Sequence, residues 1–265
     1  MLAIKIAAVP LALFIVSMAG RIWDARAAGR LAGLPVIAGP ILLLLAISEG
    51  SAFAAKAAQL SMSAILASEG FNFAYAWTCR RTGWRLSLTL GLFTWLLTAT
   101  FLAAMPSSAT SSAAIAVTAA FFGQAFLPKL RTPPYQATAS SGDLLLRMLS
   151  GAVLTLIVTD VAGCVGPKWS GLLTVFPVLG CVLAVSCQRA HGSEYVIALF
   201  RGMALGRFSF IAFCLILILV LPLQSIPVAF LGAAFVAIAV QTFVLRITRL
   251  TPSRAIPSND EQARA

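Results

Sequence analysis

The sequence predicts an all-α, polytopic transmembrane bundle of about nine helices, and three observations carry that prediction. Apolar residues make up 60% of the chain and charged residues only 10%, where a soluble domain carries about 25% charged. Long apolar stretches, of the roughly 18 residues or more that a spanning helix needs, recur along the chain. These stretches are continuous rather than alternating, which excludes a membrane barrel, and within lipid only helices or closed barrels satisfy their own backbone.

The expected spans are 2–20, 31–48, 51–78, 86–105, 112–127, 144–164, 170–187, 194–221 and 226–245. The first, "MLAIKIAAVPLALFIVSMAG", has the basic start, apolar centre and small-residue end of a secretion signal. Arg21, Arg26 and Arg30 follow at once, and such a cluster resists export, so an uncleaved helix is expected. The second opens on "GLPVIAGP", with two glycines and two prolines ahead of "ILLLLAI". "SEGS" separates it from the third, and "RRTGWR" and "PSSATSS" bound the fourth. After Phe126 comes the longest connection, "LPKLRTPPYQATASSGD", the natural seam of the chain. It divides an N-terminal membrane half (1–128) from a linker (129–143) and a C-terminal half (144–246). "GPK", "QRAHGSE" and "PLQS" delimit the last four spans, and the polar tail within 247–265 is expected to be disordered.

Charge tests this segmentation. Taking the N-terminus as outside, one set of alternate connections holds fourteen Lys and Arg residues, while the opposite set holds only Lys5 and Lys168. Lys56, Arg201 and Arg207 fall within spans. The positive-inside rule then places the N-terminus outside and the C-terminus in the cytoplasm of a bacterial inner membrane. The net charge of +11 is thereby a topology signal. Nucleic acid is not an expected partner, since no basic patch mixed with aromatics exists.

Catalytic and metal chemistry find little footing. Five cysteines lie in or beside apolar runs without a CxxC pair, and buried free cysteine behaves as a small hydrophobe. One histidine at a turn cannot assemble a nucleophile, base and orienting group. No cofactor, metal or enzymatic activity is expected. The expected partners are the lipid bilayer, an unidentified small solute with protons as a coupling candidate, and further copies of the chain.

Sliding the chain on itself until Leu31 falls on Leu173 also aligns Pro35 with Pro177, Val36 with Val178, Gly50 with Gly192 and Ser51 with Ser193. The shift moves each helix by five spans, an odd number, so the equivalent helices would cross the membrane in opposite directions. Inverted repeats of this kind build many secondary transporters, whose sites lie near the midplane on helices interrupted by Gly or Pro. Pro35, Gly39 and Pro40 in one half, and Pro177 in the other, are therefore candidate substrate or coupling residues.

Charges at membrane depth are candidates by default. Glu69 lies deep in the third span with Asn72 one turn further on the same face, and Arg201 and Arg207 lie in the eighth. A Glu69–Arg207 pair is the expected contact, as a structural bridge or a proton-coupled site. Glu49 and His191, equivalent under the same shift and both at turns, are candidate gating residues. His191 is the group that titrates nearest neutral pH.

The segments "GLLTVFPVLGCVLA", "HGSEYVIALFRGM" and "FSFIAFCLILIL" resemble the small GlpM-type bacterial membrane proteins. The resemblance covers about residues 145–245 and, more faintly, 2–105. It implies a chain like two such units fused in opposite orientations, and it implies no substrate. The function expected from all of this is a secondary transporter or permease working by alternating access between inverted halves. The alternative is a non-transporting subunit of an envelope or polysaccharide-related complex.

Overall fold

A computed structural model of the chain describes residues 2–36, 38–105, 108–133, 141–164 and 176–250. Its elements are α1 (Leu2–Ile22), α2 (Ala25–Gly33), α3 (Ala38–Glu49), α4 (Ser51–Ser63), α5 (Ile65–Thr78) and α6 (Trp84–Ala104). They continue with α7 (Ala109–Phe126), α8 (Ser141–Cys164), α9 (Val178–His191), α10 (Ser193–Val220) and α11 (Ile226–Leu250). No strand occurs among the described residues.

Among the described residues, five stretches are long and apolar enough to cross a membrane: Ala25–Glu49, Trp84–Ala104, Ala109–Phe126, Ser193–Val220 and Ile226–Thr248. Their outward faces are apolar too. Phe93, Leu97 and Phe101 project from one side of α6, and Leu231, Phe235 and Ile238 from one side of α11, Phe235 being 75% exposed. Spacings of three and four residues put each set on a single helix face. Such belts suit a hydrocarbon solvent, and the chain is a multi-pass membrane protein by this composition.

The second span differs from the sequence expectation. A helix begins at Ala25, inside what reads as a charged connection, because the Asp24 side chain accepts the Ala27 amide and caps the first turn. It stops at Gly33. Leu34 takes the extended conformation, with φ −72° and ψ 162°, that the residue before a proline prefers. The chain turns through Pro35 and becomes helical again at Ala38, with the Gly39 amide donating to the Pro35 carbonyl at 2.8 Å. Pro40 thus lies in the first turn of α3, where its missing N–H removes no helical bond. It is exposed and opens α3 just after the break.

A milder break separates α4 from α5. Ala64 has ψ −9°, well short of the usual α-helical value. Helical bonds nonetheless bridge the step, from the Ala64 amide to Leu60 and from the Ser68 amide to Ala64.

α10 is the axle of the bundle. It packs against α2, α4, α5, α7, α9 and α11, while α1 pairs with α8, α6 with α5, and α3 with α4 and α11. Its closest approach is to α2, whose buried face is Ala25, Ala28, Gly29, Ala32 and Gly33. These residues meet Gly202 and Gly206 backbone to backbone. A Cβ on Gly206 would lie 2.5 Å from the Arg30 carbonyl oxygen and 2.8 Å from the Gly33 Cα. Small residues four apart on both helices let the backbones touch, as in membrane helix pairs generally.

Element boundaries repeat at the spacing found in the sequence. α3 and α9 end at Glu49 and His191, and α4 and α10 begin at Ser51 and Ser193. α5 and α10 end at Thr78 and Val220, and α6 and α11 begin at Trp84 and Ile226. Each pair has the same separation as Leu31 and Leu173. Between the first two boundaries stand Gly50, with φ +92° and ψ 165°, and Gly192, with φ +82° and ψ 179°. They are the only positive-φ positions among the described residues, and their conformation is one that only glycine holds without strain.

Candidate functional site

Glu69 of the third span and Arg207 of the eighth come together. Arg207 Nε donates to Glu69 Oε1 at 2.9 Å, and Asn72 Nδ2 approaches the same oxygen at 3.4 Å. Glu69 is 5% exposed and Asn72 fully buried. Arg207 stands halfway along the 28 residues of α10, about 21 Å from its start at 1.5 Å per residue. The carboxylate fits because α7 presents Gly123. A Cβ there would lie 2.6 Å from Glu69 Oε2. That oxygen and Asn72 Oδ1 have no hydrogen-bond partner. A buried acceptor without a donor is costly, on the order of 1–3 kcal/mol, so this cluster has two acceptors open to a proton, water or a ligand.

Aromatic packing on the flank of this cluster ties α5 to α10. Phe71 and Phe200 meet edge-on at 6.2 Å, and Tyr75 and Phe200 at 5.7 Å. Phe71 also receives Gly180 of α9, whose Cβ would stand 3.3 Å from Cε1. In the same way Phe213 of α10 receives Gly39 of α3 at 3.5 Å. Each of the two Pro-Gly segments thus leans on an aromatic ring, Gly39 on Phe213 of α10 and Gly180 on Phe71 of α5. Pro35 is half-buried at the α2–α3 break, and Pro177 is the N-cap of α9. The residues before Phe176 in the "TVFPVLGC" stretch lie outside the described residues.

Arg201 does not join Glu69. Its Nη1 donates to the Leu127 carbonyl at 2.9 Å and reaches Pro128 at 3.5 Å, while Gln124 Nε2 donates to the Arg201 carbonyl at 2.9 Å. Arg201 thus caps the C-terminus of α7, where carbonyls lack helical donors and the helix dipole favours a cation. Glu49 is exposed, and His191 lies against the Tyr195 ring, centroids 4.5 Å apart. These two turn residues are not in contact with the central pair. Lys56 is exposed.

One end of the bundle carries a network that sequence reading missed. Arg80 grips Glu194 with two bonds, Nε to Oε1 at 2.7 Å and Nη2 to Oε2 at 3.1 Å, and the same Nη2 donates to the Lys129 carbonyl at 2.6 Å. The Arg131 amide donates to Glu194 Oε2 at 2.9 Å. Gln188 accepts from the Tyr75 hydroxyl at 2.7 Å and donates to the Cys79 carbonyl at 3.0 Å. Three of the basic connections counted together by charge, after α5, α7 and α9, are thus physically neighbours. The signal available was Glu194 in the first turn of a helix beside an arginine-rich surface.

Among the described residues no group of His, Cys, Asp and Glu could hold a metal ion, and the four described cysteines are buried free thiols. Burial pushes the Cys79 thiol from its usual 9 up to about 11. In a variant keeping only Cys79, maleimide labelling at pH 7.5 should run at least about 100-fold slower than in the denatured chain, because thiolate is the reactive form. Mass spectrometry of timed samples reads this directly, and equal rates would mean that the α5 end opens freely.

No family model, curated protein or solved structure matches this chain.

Proposed function

We propose that the chain is a secondary carrier of the bacterial inner membrane, N-terminus outside and C-terminus inside, for a small or amphipathic solute. Its two halves, related by an inverted repeat, would alternate access around the Glu69–Arg207–Asn72 cluster. The observation that carries this reading is the buried ion pair joining the halves with two acceptor atoms unfilled. A proton on Glu69 removes the charge that Arg207 faces, so protonation biases the fit of α5 against α10. A coupling ion can shift an equilibrium only through such a difference between states.

The constant spacing of helix ends and the two matching glycine elbows support the repeat. The repeat also gives sense to the GlpM-type resemblance, as two such units joined through α7. A scaffold without transport is the second reading. What favours it is the α2–α10 seam, a backbone contact between the halves that resists separation.

Single cysteines at Ser112 and Gln124, near opposite ends of α7, test the choice in a cysteine-free background. With membrane-impermeant maleimide applied to vesicles of each orientation, Glu69→Gln should raise labelling at one position and lower it at the other, each by about fivefold. Unchanged rates at both would leave the scaffold standing and the carrier reading without support.

A further inference from the structure

Of the buried polar groups that the central cluster does not use, Arg147 is the most exceptional. It lies near the start of α8, 5% exposed, in the packing of α8 against α1 and α9. Its Nη1 reaches Ser17 Oγ of α1 at 3.4 Å, a weak contact by length. Nε and Nη2 have no hydrogen-bond partner.

Those two nitrogens form one edge of the guanidinium, the fork that grips two coplanar oxygens at once. The protein itself displays the comparison. Arg80 uses the same edge, Nε and Nη2, to hold both oxygens of Glu194. Arg147 presents that edge buried, where an uncompensated charge is most expensive.

Among the described residues no carboxylate is in ion-pair contact with Arg147. The Tyr195 hydroxyl sits against Gly20, one turn beyond Ser17 on α1, since a Cβ on Gly20 would lie 2.6 Å from it. The Asp24 carboxylate just after α1 is engaged by the Ala27 amide as the cap of α2. Exposed Leu145, Leu146 and Leu149 flank the arginine on α8, so it stands beside the acyl phase near a helix end.

We propose that Arg147, with Ser17 and Tyr195, is a binding site for the phosphate group of an oxyanion, held bidentately on the Nε–Nη2 edge. This site is separate from the Glu69 cluster and does not depend on the transport reading. Two sources share the chemistry, free inorganic phosphate and the phosphodiester of an anionic lipid.

The test uses the full chain in nanodiscs of phosphatidylcholine, with thermal unfolding as the readout. In one arm millimolar inorganic phosphate is added at constant ionic strength; in the other, phosphatidylglycerol replaces one in five of the zwitterionic lipids. Wild type should gain several degrees in at least one arm, the first identifying a diffusible anion and the second a headgroup. Arg147→Gln should fold and lose that gain, and Arg147→Lys, which keeps the charge without the fork, should keep less than half of it. Native mass spectrometry of unaltered protein, counting retained phosphatidylglycerol or phosphate, serves if the variants fail to fold. No stabilisation in either arm and no retained oxyanion would overturn the proposal, as would an Arg147→Gln response equal to wild type.

Discussion

Gly29→Ala should leave little folded protein under conditions where the wild type is intact. The added methyl is driven into the Leu199 carbonyl and lies 2.9 Å from the Met203 amide nitrogen, both of them backbone that cannot rotate away. The α2 and α10 axes must separate, and the contacts of Ala25, Ala28, Ala32 and Gly33 loosen with them. A loss of more than about 4 kcal/mol follows from such overpacking against main chain, beyond the usual range for single substitutions. Gly202→Ala, which meets the Arg26 carbonyl, should behave alike. Gly232→Ala is the control: nothing lies within 4 Å of its Cβ, and alanine is the better helix former by roughly 1 kcal/mol. Monodisperse yield and melting temperature in detergent decide the matter. A Gly29→Ala protein as stable as Gly232→Ala would mean that the two helices are not in backbone contact.

The second large effect concerns the central pair. Arg207→Leu should cost about 3–5 kcal/mol, because it leaves a buried carboxylate without its cation. Glu69→Met should cost a similar amount by stranding the guanidinium. Combining Glu69→Met with Arg207→Leu should recover most of the loss, since an apolar pair of like volume has no desolvation cost. Unfolding of wild type, the two single variants and the double variant in a double-mutant cycle gives the coupling, expected at about 3 kcal/mol or more. Strictly additive losses would show that the 2.9 Å contact contributes nothing to stability. The cycle also prepares a carrier test, because a stable Met–Leu protein has the fold without the titratable group.

The helical membrane architecture was legible because apolar runs and basic connections are composition-level signals that packing does not override. Glu69 and Arg207 were legible for a related reason: so few charges lie within the spans that each has few partners to choose from. Asn72 followed from helical spacing to Glu69. Other features hid behind the same signals. "RIWDARAAGR" was read as a charged connection on the strength of its arginines, yet Asp24 caps a helix whose small face runs through Ala25, Gly29 and Gly33. Arg147 was counted among the topology charges beside the linker, and only three-dimensional packing shows it buried. Arg201 looked like the equal of Arg207 in sequence. What separates them is the end of α7, which offers Arg201 free carbonyls and leaves Arg207 to Glu69. The prolines marked where the second span is interrupted, but whether each would sit inside a helix or open one is not legible until the break before it is seen.

The pairing of α2 with α10 also bears on how the chain is made. The ribosome delivers α2 early, yet the groove that fits its alanine and glycine face belongs to α10, which starts only at Ser193. During synthesis the first segments must therefore wait in the bilayer, small-residue flank uncovered, until the later ones leave the insertion machinery. The tightest helix contact in the bundle thus joins segments made far apart in time.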